Sequence, residues 1–294
     1  MTRSGFVAIA GRPNVGKSTL INALVGAKVA IVSDKPQTTR RAIRGVATGE
    51  DWQLVLVDLP GVQRPRDALT QRMQARVERE LADADAALLL LNGEQGVGPG
   101  DRFIARALGG AVPVTVAVNK IDRIARAQEL ETLTAAAQLV PEAEVFPISA
   151  RTGAGVGPLL QHLVAQLPEG PFMYERAQHG DLDRDTLLSE LIREQVLRRT
   201  FKEIPHAVGV VVEDIEWPRD GDDLATVRAL IWVETESQKG ILIGTQGKMV
   251  KAIGTAARKE LERELGARVH LDLAVRVRRR WRADDSLLDR LGIE

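Results

Sequence analysis

Eight residues near the start of the chain, "GRPNVGKS" (Gly11–Ser18), have the types and spacing needed to hold a run of phosphates. The pattern is G-x-x-x-x-G-K-S, with Arg12, Pro13, Asn14 and Val15 between the glycines and Thr19 just after it. Gly11 and Gly16 let the backbone fold tightly, so that loop N–H groups and a helix start face the anion. Lys17 would reach the β- and γ-phosphates, and Ser18 would ligate Mg²⁺. Taken alone, the loop leaves ATP and GTP open. Three later pieces decide between them. "DLPG" (Asp58, Leu59, Pro60, Gly61) ends an apolar run; its carboxylate would hold Mg²⁺, directly or through water, and the Gly61 N–H would sense the γ-phosphate. "NKID" brings Asn119, Lys120 and Asp122 to the end of "PVTVAVNK". The Asp122 carboxylate accepts from the ring N–H and exocyclic amine of guanine, a donor pair that adenine lacks. Ser149 and Ala150 end the next run, where the Ala150 N–H would meet guanine O6. The expected ligands are GTP or GDP with Mg²⁺.

These pieces need a frame that puts them at one edge. "FVAIA", "WQLVLVDLP", "AALLLLN", "PVTVAVNK" and "EVFPISA" are near-continuous apolar runs of strand length. Such runs suit strands buried on both faces of a mostly parallel sheet. Helical patterns lie between them, at Lys17–Val25, Ala68–Leu81, Gly100–Leu108, Ala125–Leu139 and Val156–Leu167. The alternation predicts an open α/β sheet, which binds ligands at the carboxyl ends of its strands. The pattern breaks after Pro171. Domain 1 is expected over residues 1–170, a polar linker over 171–184, an α+β domain over 185–282 and a tail over 283–294. In the second domain a helix opens at Asp185 and runs to about Glu203. The strand candidates "HAVGVVVEDIEW" and "LATVRALIWVET" follow, then a short helical turn, a helix from Lys248 to about Leu265, a strand "RVHLDLAVRV" and a short helical end.

A second glycine loop, Gly244-Thr245-Gln246-Gly247, separates the two helices of this later part. It lacks the lysine–serine ending of a phosphate loop. Its glycines permit close approach of phosphates, and the helix beginning at Lys248 aims N–H groups and its dipole at them. The order of elements resembles a type II KH domain, in which this turn clamps about four single-stranded nucleotides.

The whole chain of 294 residues carries 40 basic and 40 acidic residues, so net charge argues for neither nucleic acid nor membrane. The local balance differs. Residues 239–282 hold 12 basic and four acidic residues, net +8. Lys239, Lys248, Lys251, Arg278 and Arg280 are the candidate RNA contacts with the loop itself. Trp281, among Arg278, Arg279, Arg280 and Arg282, suits either base stacking or packing on the sheet. There is no cysteine, which excludes disulfides and thiolate metal sites. The start is too short and interrupted for a signal peptide, and no apolar run nears the roughly 20 residues that span a bilayer. A cytoplasmic protein is expected.

With "GRPNVGKS", "PQTTR", "DLPG", "NKID" and "SA" followed by "LIREQVLRRTFKEIPHAVGVVVE" and "GILIGTQGKMVKAIGTAARKELE", the chain resembles the Era family of bacterial P-loop GTPases over nearly its whole length. The resemblance makes "SDKPQTTRRAIRG" the first switch, whose threonine binds Mg²⁺. Thr39, directly before an arginine, is favoured, and Thr38 is the alternative. Lys17, Thr39, Gly61 and Asn14 are then the expected catalytic set. Val62 stands where many regulatory GTPases carry a water-orienting glutamine, so slow intrinsic hydrolysis is expected. In relatives with such an apolar residue the loop asparagine helps bind K⁺, which makes Asn14 either a K⁺ ligand or a simple loop cap. Family members commonly carry a basic residue in the G-x-x-G turn, whereas Thr245 and Gln246 are neutral.

The resemblance further implies binding of 16S rRNA near its 3′ end and a role in assembling the small ribosomal subunit. It also implies a GTP-controlled change between domains and peripheral contact with the inner membrane, and a monomer is expected. The rival readings are a signalling GTPase with a protein-binding C-terminal module and a non-catalytic RNA chaperone.

Overall fold

The computed structural model describes residues 1–294 except 36–37, 60–66, 109–111, 218–222 and 294. Chain contacts divide it into two compact units. The first comprises Met1–Val32, Thr39–Pro65 and Met73–Asp181; the second comprises Ser33–Thr38, Arg66–Arg72 and Leu182–Glu294.

The elements up to residue 165 are β1 (Arg3–Ala10), α1 (Lys17–Val25), β2 (Ile43–Thr48), β3 (Trp52–Asp58), α2 (Ala68–Ala82), β4 (Ala86–Asn92), α3 (Pro99–Leu108), β5 (Val114–Asn119), α4 (Arg126–Leu139), β6 (Val145–Pro147) and α5 (Val156–Ala165). Six strands form one sheet in the order β2-β3-β1-β4-β5-β6, with β2 alone antiparallel. The unbroken apolar runs follow from this layering. Along β4 every residue is buried; Leu88 and Leu90 join one core with Leu20, Leu159 and Leu163, while Leu89 and Leu91 join another with Ile104 and Ala136. A strand between two helical layers must be apolar on both faces.

β1 lies between β3 and β4, so the chain order reverses at its carboxyl end, where open α/β sheets form a crevice. The phosphate loop leaves from there.

Two features of this unit differ from the sequence reading. The edge strand β2 occupies the end of the segment read as a switch loop; its six residues alternate too little to stand out. Residues 172–180 of the stretch read as a linker lie along the β2–β3 part of the sheet. Val46 N–H donates to the His179 carbonyl at 2.8 Å, and Gly45 and Gly180 form an antiparallel bridge. The fully buried Gln53 accepts from Met173 and Tyr174 N–H at 2.7 and 2.9 Å. A polar side chain pays for its burial only when hydrogen-bonded.

The second unit contains α6 (Arg184–Arg199), α7 (Ile204–Ala207), β7 (Gly209–Glu216), β8 (Leu224–Val233), α8 (Glu236–Ile243), α9 (Lys248–Leu265), β9 (Arg268–Val277) and α10 (Asp285–Arg290). Its sheet runs β7-β8-β9, antiparallel then parallel. Asp183 caps α6 by accepting from Thr186 N–H at 2.9 Å. Thr235 and Gln238 form a reciprocal capping box on α8. The stripe Ile253, Ala257 and Leu261 turns α9 onto the sheet. His206 and Ala207, expected in a strand, lie in the short α7, which Pro205 starts near its first turn. Among the described residues no helix is long and apolar enough to cross a membrane.

Trp281 settles between its two expected roles by packing. It is fully buried, and its Nε1–H donates to the Ala207 carbonyl at 2.8 Å. Trp281→Phe keeps most of the ring volume and removes the donor. The second unit is expected to lose about 1–3 kcal/mol, read as a lower urea midpoint by circular dichroism. An unchanged midpoint would mean that this hydrogen bond contributes nothing.

Candidate functional site

The loop between β1 and α1 is held in a conformation that its sequence anticipates. Gly16 has φ +104°, and a Cβ there would lie 2.3 Å from Asn119 Nδ2. Asn14 also takes a left-handed conformation, φ 63°, which asparagine tolerates better than most residues. Lys17 begins α1 and is only 8% exposed; its Nζ donates to the Gly11 and Arg12 carbonyls at 3.2 and 3.4 Å.

Asp58, at the end of β3, is completely buried. Its Oδ2 accepts from Ser18 Oγ at 2.6 Å and from Thr39 Oγ1 at 3.1 Å, and the two hydroxyls lie 3.2 Å apart. Its Oδ1 has no hydrogen-bond partner among the described residues. Thr38 is engaged elsewhere, donating to the Lys35 carbonyl at 2.6 Å. Of the two adjacent threonines, Thr39 is the one beside Ser18 and Asp58.

Burial pushes the Lys17 ammonium below its usual pKa, opposed by the nearby Asp58 charge. Burial likewise pushes the Asp58 carboxyl up, opposed first by Lys17 and then by hydrogen bonds from Ser18 and Thr39. A dry cation and a dry anion are thus left with less compensation than water would give them. A polyphosphate would match the first and a divalent cation the second. Two hydroxyls and an unpartnered carboxylate oxygen form the hard oxygen set that Mg²⁺ prefers, so these residues fit the metal. Pro60, Gly61 and Val62 lie outside the described residues; Leu59 is buried.

The base-reading pieces converge as well. Asn119 is 3% exposed; its Nδ2 donates to the Val15 carbonyl at 2.8 Å, and its Oδ1 accepts from Ala150 N–H at 2.9 Å. The N–H expected to meet guanine O6 therefore already serves Asn119. Asp122 accepts from Ser149 Oγ at 2.7 Å and from Arg151 Nη2 at 2.6 Å. The Ser149 hydrogen bond, followed by those from Arg151, holds its carboxyl below the usual range, leaving an ionised acceptor. Lys120, with φ 69°, pairs with Glu94 at 3.3 Å. Sequence reasoning missed Arg151 and Glu94. The signal for Arg151 was a basic residue directly after Ser149-Ala150; Glu94 gave none, being far from "NKID" in sequence.

In the second unit, Gly247 takes φ +73° and opens α9, whose start has no side-chain cap. Thr245, Gln246 and Lys248 beside it are exposed, as are Lys251, Arg278 and Arg280, while Lys239 is partly buried. None of these basic residues forms an ion pair among the described residues, whereas Arg228 and Arg268 on the same sheet are paired with Asp214 and Asp223. A groove of about 490 Å³ between α6 and α9 is lined by Arg199, Lys248, Lys251, Thr255 and Lys259. Arg199 and Lys259 extend the basic strip beyond the residues that the sequence singled out.

The contact between Gly16 and Asn119 couples the phosphate loop to the residues expected to read the base. Gly16→Ala would force Asn119 off Val15 and Ala150 and strain the backbone by about 1–3 kcal/mol. Calorimetric titration with GDP is expected to show affinity falling about tenfold or more. Unaltered affinity would show that the loop relaxes around the added methyl.

A protein-family pattern described as "50S ribosome-binding GTPase" matches residues 6–120, and one described as "KH domain" matches residues 203–282. GTPase Era of Mycobacterium sp. strain KMS is 44% identical over 294 residues, spanning 99% of this chain and 98% of the relative. GTPase Era of Mycobacterium tuberculosis strain H37Ra is 45% identical over 295 residues, spanning 98% of each. Among solved structures, Era in complex with MgGDPNP and nucleotides 1506–1542 of 16S ribosomal RNA superposes with a TM-score of 0.94 at 35% identity, covering 100% of this chain and 99% of that one. A variant of Aquifex aeolicus Era bound to GDP·AlF4⁻ gives the same score and identity over 99% of both chains. The likeness runs over nearly the whole of this chain and of its relatives, through the nucleotide-loop unit and the KH unit alike, and the chain belongs to the GTPase Era family.

Proposed function

We propose that this GTPase is a nucleotide-controlled RNA binder that grips 16S rRNA near its 3′ end and assists assembly of the small ribosomal subunit. The observation that carries the proposal is the pairing of an under-compensated Lys17–Asp58 site with unpaired cations around Gly244–Gly247 in one chain. One matched pattern is described by the 50S ribosome, but it covers only residues 6–120. The full-length structural relative was solved with 16S rRNA, the RNA of the small subunit, and that likeness extends over the whole chain.

In the hydrolytic site, Lys17 would draw charge from the β- and γ-phosphates while the loop N–H groups hold them in line. Ser18, Thr39 and Asp58 would hold Mg²⁺, which would supply positive charge to offset the charge developing on the β- and γ-phosphates. With a γ-phosphate and Mg²⁺ bound, Thr39 would exchange its hydrogen bond to Asp58 for the metal, making its segment the switch. Gly61 would donate its N–H to the γ-phosphate. Asp122 would select guanine, with Lys120 beside it and Asn119, Ser149 and Ala150 holding the surrounding loops in place. Bound GTP would raise RNA affinity and hydrolysis release the RNA. The KH unit would clamp the RNA backbone with Gly244, Thr245, Gln246, Gly247, Lys239, Lys248, Lys251, Arg278 and Arg280. The expected place is the cytoplasm, with any contact at the inner membrane peripheral rather than spanning.

Filter binding to a 3′-terminal 16S fragment over a salt series tests the RNA reading. About four clamped nucleotides predict a slope of log affinity on log salt near −3. Neutralising Lys248 and Lys251 together should flatten it by about 1.4. Binding should be tighter with a GTP analogue than with GDP. A flat salt profile would favour a protein-binding module, and equal affinity in both states would refute nucleotide control.

Asn14 is proposed as a ligand for K⁺, which would supply the charge that Val62 cannot help provide. Phosphate release should then be faster in KCl than in NaCl at equal ionic strength, and Asn14→Ala should erase the difference. Equal rates in the two salts leave Asn14 as a loop cap.

A further inference from the structure

We infer that Arg12 and Asp101 form a positioning pair for the nucleotide reaction, with Asp101 anchoring the Arg12 guanidinium so that the phosphate loop keeps its binding shape. Arg12 is the second residue of that loop. Its Nε donates to Asp101 Oδ1 at 2.9 Å and its Nη2 to the Gly96 carbonyl at 3.2 Å. The other carboxylate oxygen of Asp101 accepts from Gly98 N–H at 2.8 Å. Both acceptors of the guanidinium belong to the stretch from the end of β4 to the first turn of α3.

The same residue faces the reaction through its backbone. The Arg12 carbonyl accepts from Lys17 Nζ at 3.4 Å, next to the Gly11 carbonyl at 3.2 Å. Arg12 therefore ties the place where the Lys17 ammonium rests to the frame beyond β4.

An exposed ion pair would contribute little. This one differs because the Asp101 side chain is fully buried and that of Arg12 is 25% exposed. Removing the cation leaves a dry carboxylate to find another partner, and the nearest donors belong to the loops it organises. The Nε and Nη2 bonds run to two separate acceptors, a fork that lysine cannot reproduce. A loose loop would lose phosphate contacts equally in ground and transition states, so the effect belongs to affinity rather than to the chemical step.

The inference rests on the GTP reading above, and its test separates the two. Arg12→Ala, Arg12→Lys, Asp101→Asn and the Arg12→Ala/Asp101→Asn double variant are compared with wild type in the full-length protein. The readouts are the Kd of a fluorescent GDP analogue, titrated on the folded fraction, and the KM and kcat of GTP hydrolysis. Arg12→Ala is expected to raise Kd and KM about ten- to a hundredfold and leave kcat nearly unchanged. Asp101→Asn keeps an oxygen for Gly98 N–H and should show a smaller rise in the same direction. Lysine should recover only part of the loss, and the double variant should be no worse than Arg12→Ala. If Arg12→Ala does not fold, Asp101→Asn carries the comparison. Wild-type Kd in the variants, additive losses in the double variant, or a kcat that falls as far as affinity would each overturn the inference. A wild-type protein that binds no GDP would overturn the nucleotide reading together with it.

Discussion

At the end of β3 a carboxylate is shut away from water with one of its oxygens unmatched among the described residues, and a lysine ammonium nearby is almost as dry. Everything around the nucleotide site can be understood as holding those two charges in that position. The register of the parallel pair β1–β3, with Ile9 beside Asp58, places the phosphate loop next to the carboxylate. Ser18 arrives from the first turn of α1, and Thr39 arrives from the segment before β2. Neither hydroxyl neutralises Asp58; each lowers the cost of its burial by one hydrogen bond. The remaining cost is what a metal–nucleotide complex relieves. Two apolar layers around β4 and β5 supply the stability that lets such a site persist.

The parts of this site that could be read from sequence are those in which neighbours along the chain do the chemistry. Gly16, Lys17 and Ser18 share one turn, and Asn119 and Asp122 lie within another. Their flanking strands were equally legible, because a strand buried on both faces leaves an uninterrupted apolar run. What escaped depends on partners far apart in sequence. Arg151 reaches back to Asp122, Glu94 to Lys120, and Asp101 to Arg12 across 89 positions. The edge strand β2 escaped for a different reason. It is covered partly by residues 172–180, so its pattern answers to a segment that reads as loop. The short α7 was misplaced because His206 and Ala207 precede a strongly apolar strand and share its composition.

In the second unit, composition was misleading and arrangement was not. Its acidic and basic residues nearly balance, yet Asp214, Glu216 and Asp223 of the β7–β8 hairpin are used on arginines of the same hairpin and of β9. Arg228 contacts both Asp214 and Glu216, and Arg268 contacts Asp223. Those pairs are exposed and contribute little stability, but they remove acidic field from one side of the sheet. Lys248 and Lys251 at the start of α9 and Arg278, Arg279 and Arg280 after β9 have no such partners among the described residues. Net charge counts ions, whereas a phosphate backbone meets only those still uncompensated.

The two glycine loops of this chain apply one device at opposite levels of hydration. At each, a left-handed glycine opens a helix whose first residue is lysine: Gly16 before Lys17, and Gly247 before Lys248. Lys17 is buried, so its ammonium has shed much of its water and gains most from a ligand that fits closely and brings several negative charges. Discrimination is possible there because a wrong ligand leaves buried groups unmatched. Lys248 is exposed and keeps its hydration, so it gains little from any one phosphate and loses little when a base is changed. That is the behaviour suited to gripping a strand by its backbone. On the proposed function, burial more than the residues themselves would separate a loop that selects one nucleotide from a loop that tolerates many.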